Sequence, residues 1–292
     1  MDRIKTIILF AMLLFCYSAV VQAEQTEQFK KDFQEYKSHY NFYSIPDTMY
    51  TMQTEFKLPA GYNYMVPSDS LSYAYWIAHF PIWHQYKTIG QWKGGIAKKY
   101  DEISRAVHLP WKGVVFKDVA IPVRILGEYC IQMKKKENFH VTPSKGEAMT
   151  YQKWLAGKAV YNSRGEVIFK DDIPKEDTEE EYYKFLLFCM SNVNFKSIAK
   201  SCDSVDTNNL QAGDMYIGYD ERGKKGKLFV IMNVISNKDG DKMYVVANGC
   251  PEACDFHIQK FNDNRDMPWI DLHRLESLTS EFKYSNFYRF KK

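Results

Sequence analysis

The feature that most narrows the fold lies between residues 228 and 247. Leu228 to Ile235 is a run of apolar, largely β-branched residues, and Met243 to Ala247 is a second apolar run. Between them stands Asn237-Lys238-Asp239-Gly240, a turn sequence that specifies a β-hairpin. Met215 to Tyr219 reads as a strand before the hairpin, and Phe256 to Lys260 as an extended segment after it.

Upstream the periodicity changes. Ser70 to Phe80 carries Leu71, Tyr75, Ala78 and Phe80 near helical spacing, with Ser70 or Asp69 as the N-cap and Pro81 as the stop. From Asp118 to Met133, Val119, Val123, Leu126 and Cys130 recur at three and four residues, and Pro122 fits only in the first turn. Lys134 to Lys136 follow where a helix C-terminus favours cations. The acidic stretch Asp171 to Glu181 leads into another helix, Tyr182 to about Met190. Helices first and sheet afterwards is an α+β plan, with helices packed on a C-terminal antiparallel sheet.

The first residues serve another purpose. Arg3 and Lys5 precede an apolar run from Thr6 to Val21, which has the length of a signal-peptide core and falls short of a stable membrane span. Val21-Gln22-Ala23 offers a cleavage site, so residues 1–23 read as a signal peptide and the mature chain as periplasmic or extracellular. An uncleaved anchor is the competing reading. Lipidation at Cys16 is disfavoured because Phe15 precedes it. No second stretch approaches spanning length, so no transmembrane segment is expected after cleavage. Residues 24–58 read as a polar, aromatic arm with a helix over Glu27 to Ser38, and residues 59–292 as one domain opened by Pro59-Ala60-Gly61. With 39 Lys and Arg against 36 Asp and Glu, the formal charge of +3 gives no general attraction for nucleic acid.

Five cysteines follow Ala23: Cys130, Cys189, Cys202, Cys250 and Cys254. The spacing of Cys250 and Cys254 suits a small disulfide loop in an oxidising compartment. Zinc is the other use of close cysteines, but only His257 lies near this pair, and a closed zinc site takes four ligands. No metal or cofactor is expected, because no phosphate-cradling glycine loop, His-Glu-x-x-His or paired carboxylates occur. His79 and His84 flank Pro81, and His108 stands beside Pro110-Trp111; all three read as structural or surface residues. The six tryptophans read mainly as core.

Leu210-Gln211-Ala212-Gly213-Asp214 opens a strand with a Gly-Asp turn. It resembles the turn that starts the sheet of secreted papain-like cysteine hydrolases of the NlpC/P60 and CHAP groups. Nearly the whole mature chain also resembles a secreted bacterial family, domain of unknown function 4846. The ordered pieces that carry the likeness are Phe80-Pro81-Ile82, Arg124 with Glu128-Tyr129, Trp154 with Gly157, and Leu210 to Asp214. The hairpin region 226–258, Pro268-Trp269 and Phe287 to Phe290 complete it. The resemblance implies a papain-like fold with a cysteine at the start of the Arg/Glu-Tyr helix, a Gly-His-Ala strand start and an orienting amide. This chain carries Asp118, Lys227 and Asn248 at those places. Aspartate does not replace a thiolate, and lysine is a poor base unless deeply buried.

Three function classes follow. The first is a catalytically degenerate papain-like binding or scaffold protein of the cell envelope, its Asp118 paired to Lys227, with peptidoglycan as a possible partner. The second is an active cysteine hydrolase with a relocated Cys250/His257 site. The third is a structural or interaction protein unrelated to hydrolases.

Overall fold

The apolar run that follows Gly226 forms the longest strand, and a sheet is assembled on both of its edges. The computed structural model describes residues 50–84, 87–109 and 117–291. The signal peptide, the Glu27–Ser38 helix and Pro110-Trp111 lie outside the described residues. The strands of the large sheet are β1 (Asn63–Tyr64), β2 (Ile103–Ala106), β3 (Cys202–Ser204), β4 (Met215–Tyr219), β5 (Gly226–Ser236), β6 (Lys242–Asn248), β7 (His257–Gln259) and β8 (Tyr284–Phe290). Their order is β3-β8-β4-β5-β6-β7-β2, with β1 added beside the far end of β5. Every pairing is antiparallel.

The expected hairpin is present. Asn237 Oδ1 accepts the N–H groups of Asp239 and Asp241, and Gly240 takes φ 88°, a conformation that costs glycine nothing. A bulge between Ile231 and Asn233 shifts the register of β5 against β6. It lets Phe229, Ile231 and Val234 share one buried cluster with Tyr216, Tyr244, Val246 and Phe287. Leu228, Val230, Met232 and Ile235 are buried as well. A strand covered on both faces shows a continuous apolar run rather than an alternation, as β5 does.

The described helices are α1 (Tyr73–Ala78), α2 (Ile121–Gln132), α3 (Tyr151–Ala156), α4 (Glu179–Asn192), α5 (Phe195–Lys200) and α6 (Leu272–Ser277). Ser72 caps α1 by accepting from Tyr75 N–H, in place of the expected Ser70 or Asp69. Thr178 caps α4, whose first turn carries Glu179, Glu180 and Glu181. Pro122 sits in the first turn of α2, after a 3-10 turn at Asp118–Ala120.

The α+β, papain-like expectation is overturned. Strands come from both halves of the chain, so helices and sheet are not segregated. Four of the six described helices are only six residues long. The helix expected on the sheet, α2, lies chiefly against α4; the 3-10 turn at its foot is what meets β5. The cause is visible on α2 itself. Arg124 and Glu128 are fully buried, while Leu126 is only partly so. The charged pair neutralises itself at i,i+4, and Tyr183 of α4 donates to Glu128 at 2.9 Å. Gly127 lets α4 approach, since a Cβ there would stand 2.5 Å from Leu186. Apolar periodicity found Val123 and Cys130, which are buried, but gave no sign that Arg124 and Glu128 are buried with them.

The compact unit begins at Tyr50. Met52 and Phe56, placed by sequence in the arm, are core residues. Glu55 is buried and receives Arg105 Nη2 at 2.6 Å, and the same guanidinium reaches Asp266 at 2.7 Å, tying this segment to β2. Among the described residues no helix is long and apolar enough to cross a membrane.

Candidate functional site

Five of the six residues singled out from the sequence fall in one neighbourhood. Asp118 N–H donates to the Cys250 carbonyl at 3.1 Å. Gly249 makes that approach possible, because a Cβ would meet Ile121 at 2.3 Å and the Asp118 backbone at 3.1 Å. The Asp118 carboxylate accepts Val119 N–H at 2.7 Å and is held above its ordinary pKa by burial, with that bond and Lys117 opposing. Asn248 faces His257 across the β6–β7 pair, and its amide oxygen accepts from Gln259.

Lys227 is elsewhere. It is the second residue of β5, opposite Gly218, and its ammonium lies 2.5 Å from Glu281, with both side chains about half exposed. The expected Asp118–Lys227 pair is therefore absent. Placing Lys227 in the site rested on the alignment of a strand start, and β5 runs several residues beyond its pairing with β6.

Cys250 and Cys254 are joined in a disulfide with Cα atoms 5.3 Å apart. In that state Cys250 has no thiol, so the relocated Cys250/His257 nucleophile does not form. His257 is fully buried; its Nδ1 lies 2.9 Å from the Asp255 carbonyl, and Nε2 has no hydrogen-bond partner. Burial pushes this imidazole down to about 4, with Asp255 opposing and Lys98 assisting. The remaining described cysteines, Cys130, Cys189 and Cys202, are free and buried, and burial raises each thiol, that of Cys130 to about 12. Such thiols are poor nucleophiles.

A second feature was not found from sequence. A cleft of about 650 Å³ opens between the loop before α1, the C-terminal half of α2, the 211–214 turn and the end of β8. Asp214 and Arg289 line it as a bidentate pair, with Nε–Oδ1 at 2.6 Å and Nη2–Oδ2 at 2.7 Å. Gly213, at φ 90°, lies against the Tyr73 ring, so the Gly-Asp signal has a packing reason and an electrostatic one. Tyr73 and Tyr129 meet edge to face at 5.2 Å on the cleft wall, and Tyr129 donates to the Leu71 carbonyl at 2.6 Å. Burial pushes Tyr129 up to about 12. Asp69, Lys135 and Lys291 bring both charge signs to the lining. A shallower groove of about 880 Å³ continues from it past Asp203 and Asp206, sharing Gln211, Arg289, Phe290 and Lys291. Gly213-Asp214 and the Tyr129 of the Arg/Glu-Tyr helix were visible in sequence as motifs. Nothing there indicated that both would face one cavity.

No curated protein and no solved structure matches the chain. The family profile described as domain of unknown function (4846) matches residues 52–291, which is nearly the whole described unit. The chain belongs to that family.

Proposed function

We propose that this is an exported binding protein of the bacterial cell envelope, and that the cleft beside Asp214 and Arg289 takes a small zwitterionic or sugar-peptide ligand of the peptidoglycan-fragment class. The observation that carries this reading is the cleft itself. Its volume falls within the range of roughly 300–1,000 Å³ usual for small-molecule sites. Two tyrosine rings supply an apolar wall suited to a sugar face, and Asp69, Lys135 and Lys291 suit a ligand bearing both an amine and a carboxylate. Asp214 and Arg289 satisfy each other, so they shape the floor rather than wait for a partner. Export is supported by the basic residues Arg3 and Lys5 ahead of the Thr6–Val21 apolar run. A binding role is favoured over hydrolysis because Cys250 is oxidised and the other described cysteines are buried with raised thiols.

The test is calorimetric titration of the mature chain with a disaccharide–tripeptide, alongside product analysis by chromatography. Saturable binding without turnover, weakened at least tenfold by Tyr73→Ala or Lys135→Glu, is expected. Turnover, or binding indifferent to both substitutions, would remove the reading.

A further inference from the structure

We propose that Cys250, Cys254 and His257 form a binding site for a zinc-type divalent cation once the disulfide is reduced. One donor atom from each of the three lies within 4.8 Å of the others. A tetrahedral zinc ion with bonds of about 2.3 Å to sulfur and about 2.0 Å to nitrogen spaces its ligands roughly 3.5–3.8 Å apart. Opening the S–S bond and small side-chain rotations therefore suffice to reach that spacing.

The hydrogen bonding of His257 suits a ligand. A carbonyl oxygen only accepts, so the 2.9 Å contact with Asp255 fixes the proton on Nδ1 and leaves a bare lone pair on Nε2. That nitrogen is buried and has no partner, whereas buried polar atoms are ordinarily satisfied. An imidazole whose other ring N–H is held by a backbone carbonyl is the arrangement metal-binding histidines use.

Backbone contacts hold the loop in addition to the disulfide. Asp118 N–H holds the Cys250 carbonyl, Trp92 N–H holds the Ala253 carbonyl at 3.1 Å, and Gln91 bridges to Cys254. Ala253 is kept at φ 60°, which an alanine adopts only when its surroundings fix it. Charge balance also fits. Two thiolates, a neutral imidazole and a divalent cation sum to zero, which suits a site with Lys98 nearby. Among the described residues no fourth His, Cys, Asp or Glu joins the cluster, which leaves the fourth position to water or an anionic ligand.

The chemistry balances with a dithiol as reductant. The dithiol gives two electrons and two protons to the Cys250–Cys254 bond and is itself oxidised to a disulfide. The two resulting thiols each release a proton as they bind the cation. The oxidised and metal-bound states exclude each other.

The test uses the metal-free mature chain, with and without a phosphine reductant, titrated with zinc chloride against a chromophoric chelator and with cobalt chloride by absorption. Expected are one zinc per reduced chain and none per oxidised chain, with thiolate-to-cobalt charge-transfer absorption only after reduction. His257→Gln should weaken zinc at least roughly tenfold while leaving the oxidised protein folded by circular dichroism. The proposal is overturned by no stoichiometric binding after reduction, by binding equal in His257→Gln, or by unfolding on reduction that zinc does not reverse. The outcome is independent of the cleft.

Discussion

Replacing Arg289 with methionine removes the partner of a carboxylate with no solvent exposure, while Arg289 itself is about one-third exposed. Asp214 then loses two charge-assisted bonds, at 2.6 and 2.7 Å, and keeps only the Gln211 N–H at 2.9 Å. Breaking a buried pair from one side costs about 3–5 kcal/mol, and the partial exposure of Arg289 argues for the lower end, ~3 kcal/mol. With a urea m-value of roughly 2–3 kcal/mol/M, the midpoint should fall by about 1–1.5 M. The loss should also depend on pH. Burial already raises the Asp214 carboxyl, with Arg289 and the Gln211 N–H opposing; without Arg289 only Gln211 opposes burial and the folded pKa rises further. A group whose folded pKa is raised stabilises below its unfolded value and loses that contribution as pH rises through the folded one. The penalty should therefore be full at pH ~7.5 and visibly smaller near pH ~4, where the carboxyl is protonated. Adding Asp214→Asn should recover part of the loss at neutral pH. Urea unfolding at both pH values is the assay. A penalty under ~0.5 kcal/mol at neutral pH, or one that does not change with pH, would refute the stranded-charge reasoning and leave only lost packing.

Gly213→Ala should cost about 2–4 kcal/mol, because φ 90° is strained for alanine and its Cβ would lie 2.8 Å from the Tyr73 ring; a change within experimental error in thermal unfolding would refute that. Lys227→Ala should change stability by no more than about 0.5 kcal/mol, as expected for a half-exposed ion pair, and should leave ligand binding by the cleft unaltered in the same calorimetric titration. His108 and His257 are both held neutral, each pushed down to about 4 from 6.5 mainly by burial. A depressed pKa supplies stability above the unfolded value that is lost as pH falls through the folded one, so stability should decline between pH 6.5 and about 4. Chemical denaturation across that range should show the slope, and His108→Gln should flatten it; a profile unchanged in that variant would count against the assignment.

Some of this was legible in the chain because the cause is local. Asn237 to Gly240 carries its own turn chemistry, the acidic residues before Tyr182 announce α4 although it starts earlier, at Glu179, and Pro122 can stand only in a first turn. The four-residue Cys250–Cys254 spacing likewise suggested the disulfide that is present. Each is decided by residues within a few positions, where backbone dihedrals and hydrogen bonds compete directly. What tertiary structure decided depends on distant partners. The sequence offered apolar residues as the inner face of α2, yet Arg124 and Glu128 are inside because each neutralises the other and α4 brings Tyr183 to the pair. The cleft joins Tyr73, Asp214 and Arg289 from three separated segments, and no spacing rule links positions so far apart. In sequence His257 stood out only as a neighbour of the cysteine pair, and it takes β7 lying between β6 and β2 to bury it beside the disulfide with an unpartnered nitrogen. Burial and charge pairing are properties of the assembled sheet, and no single segment carries them.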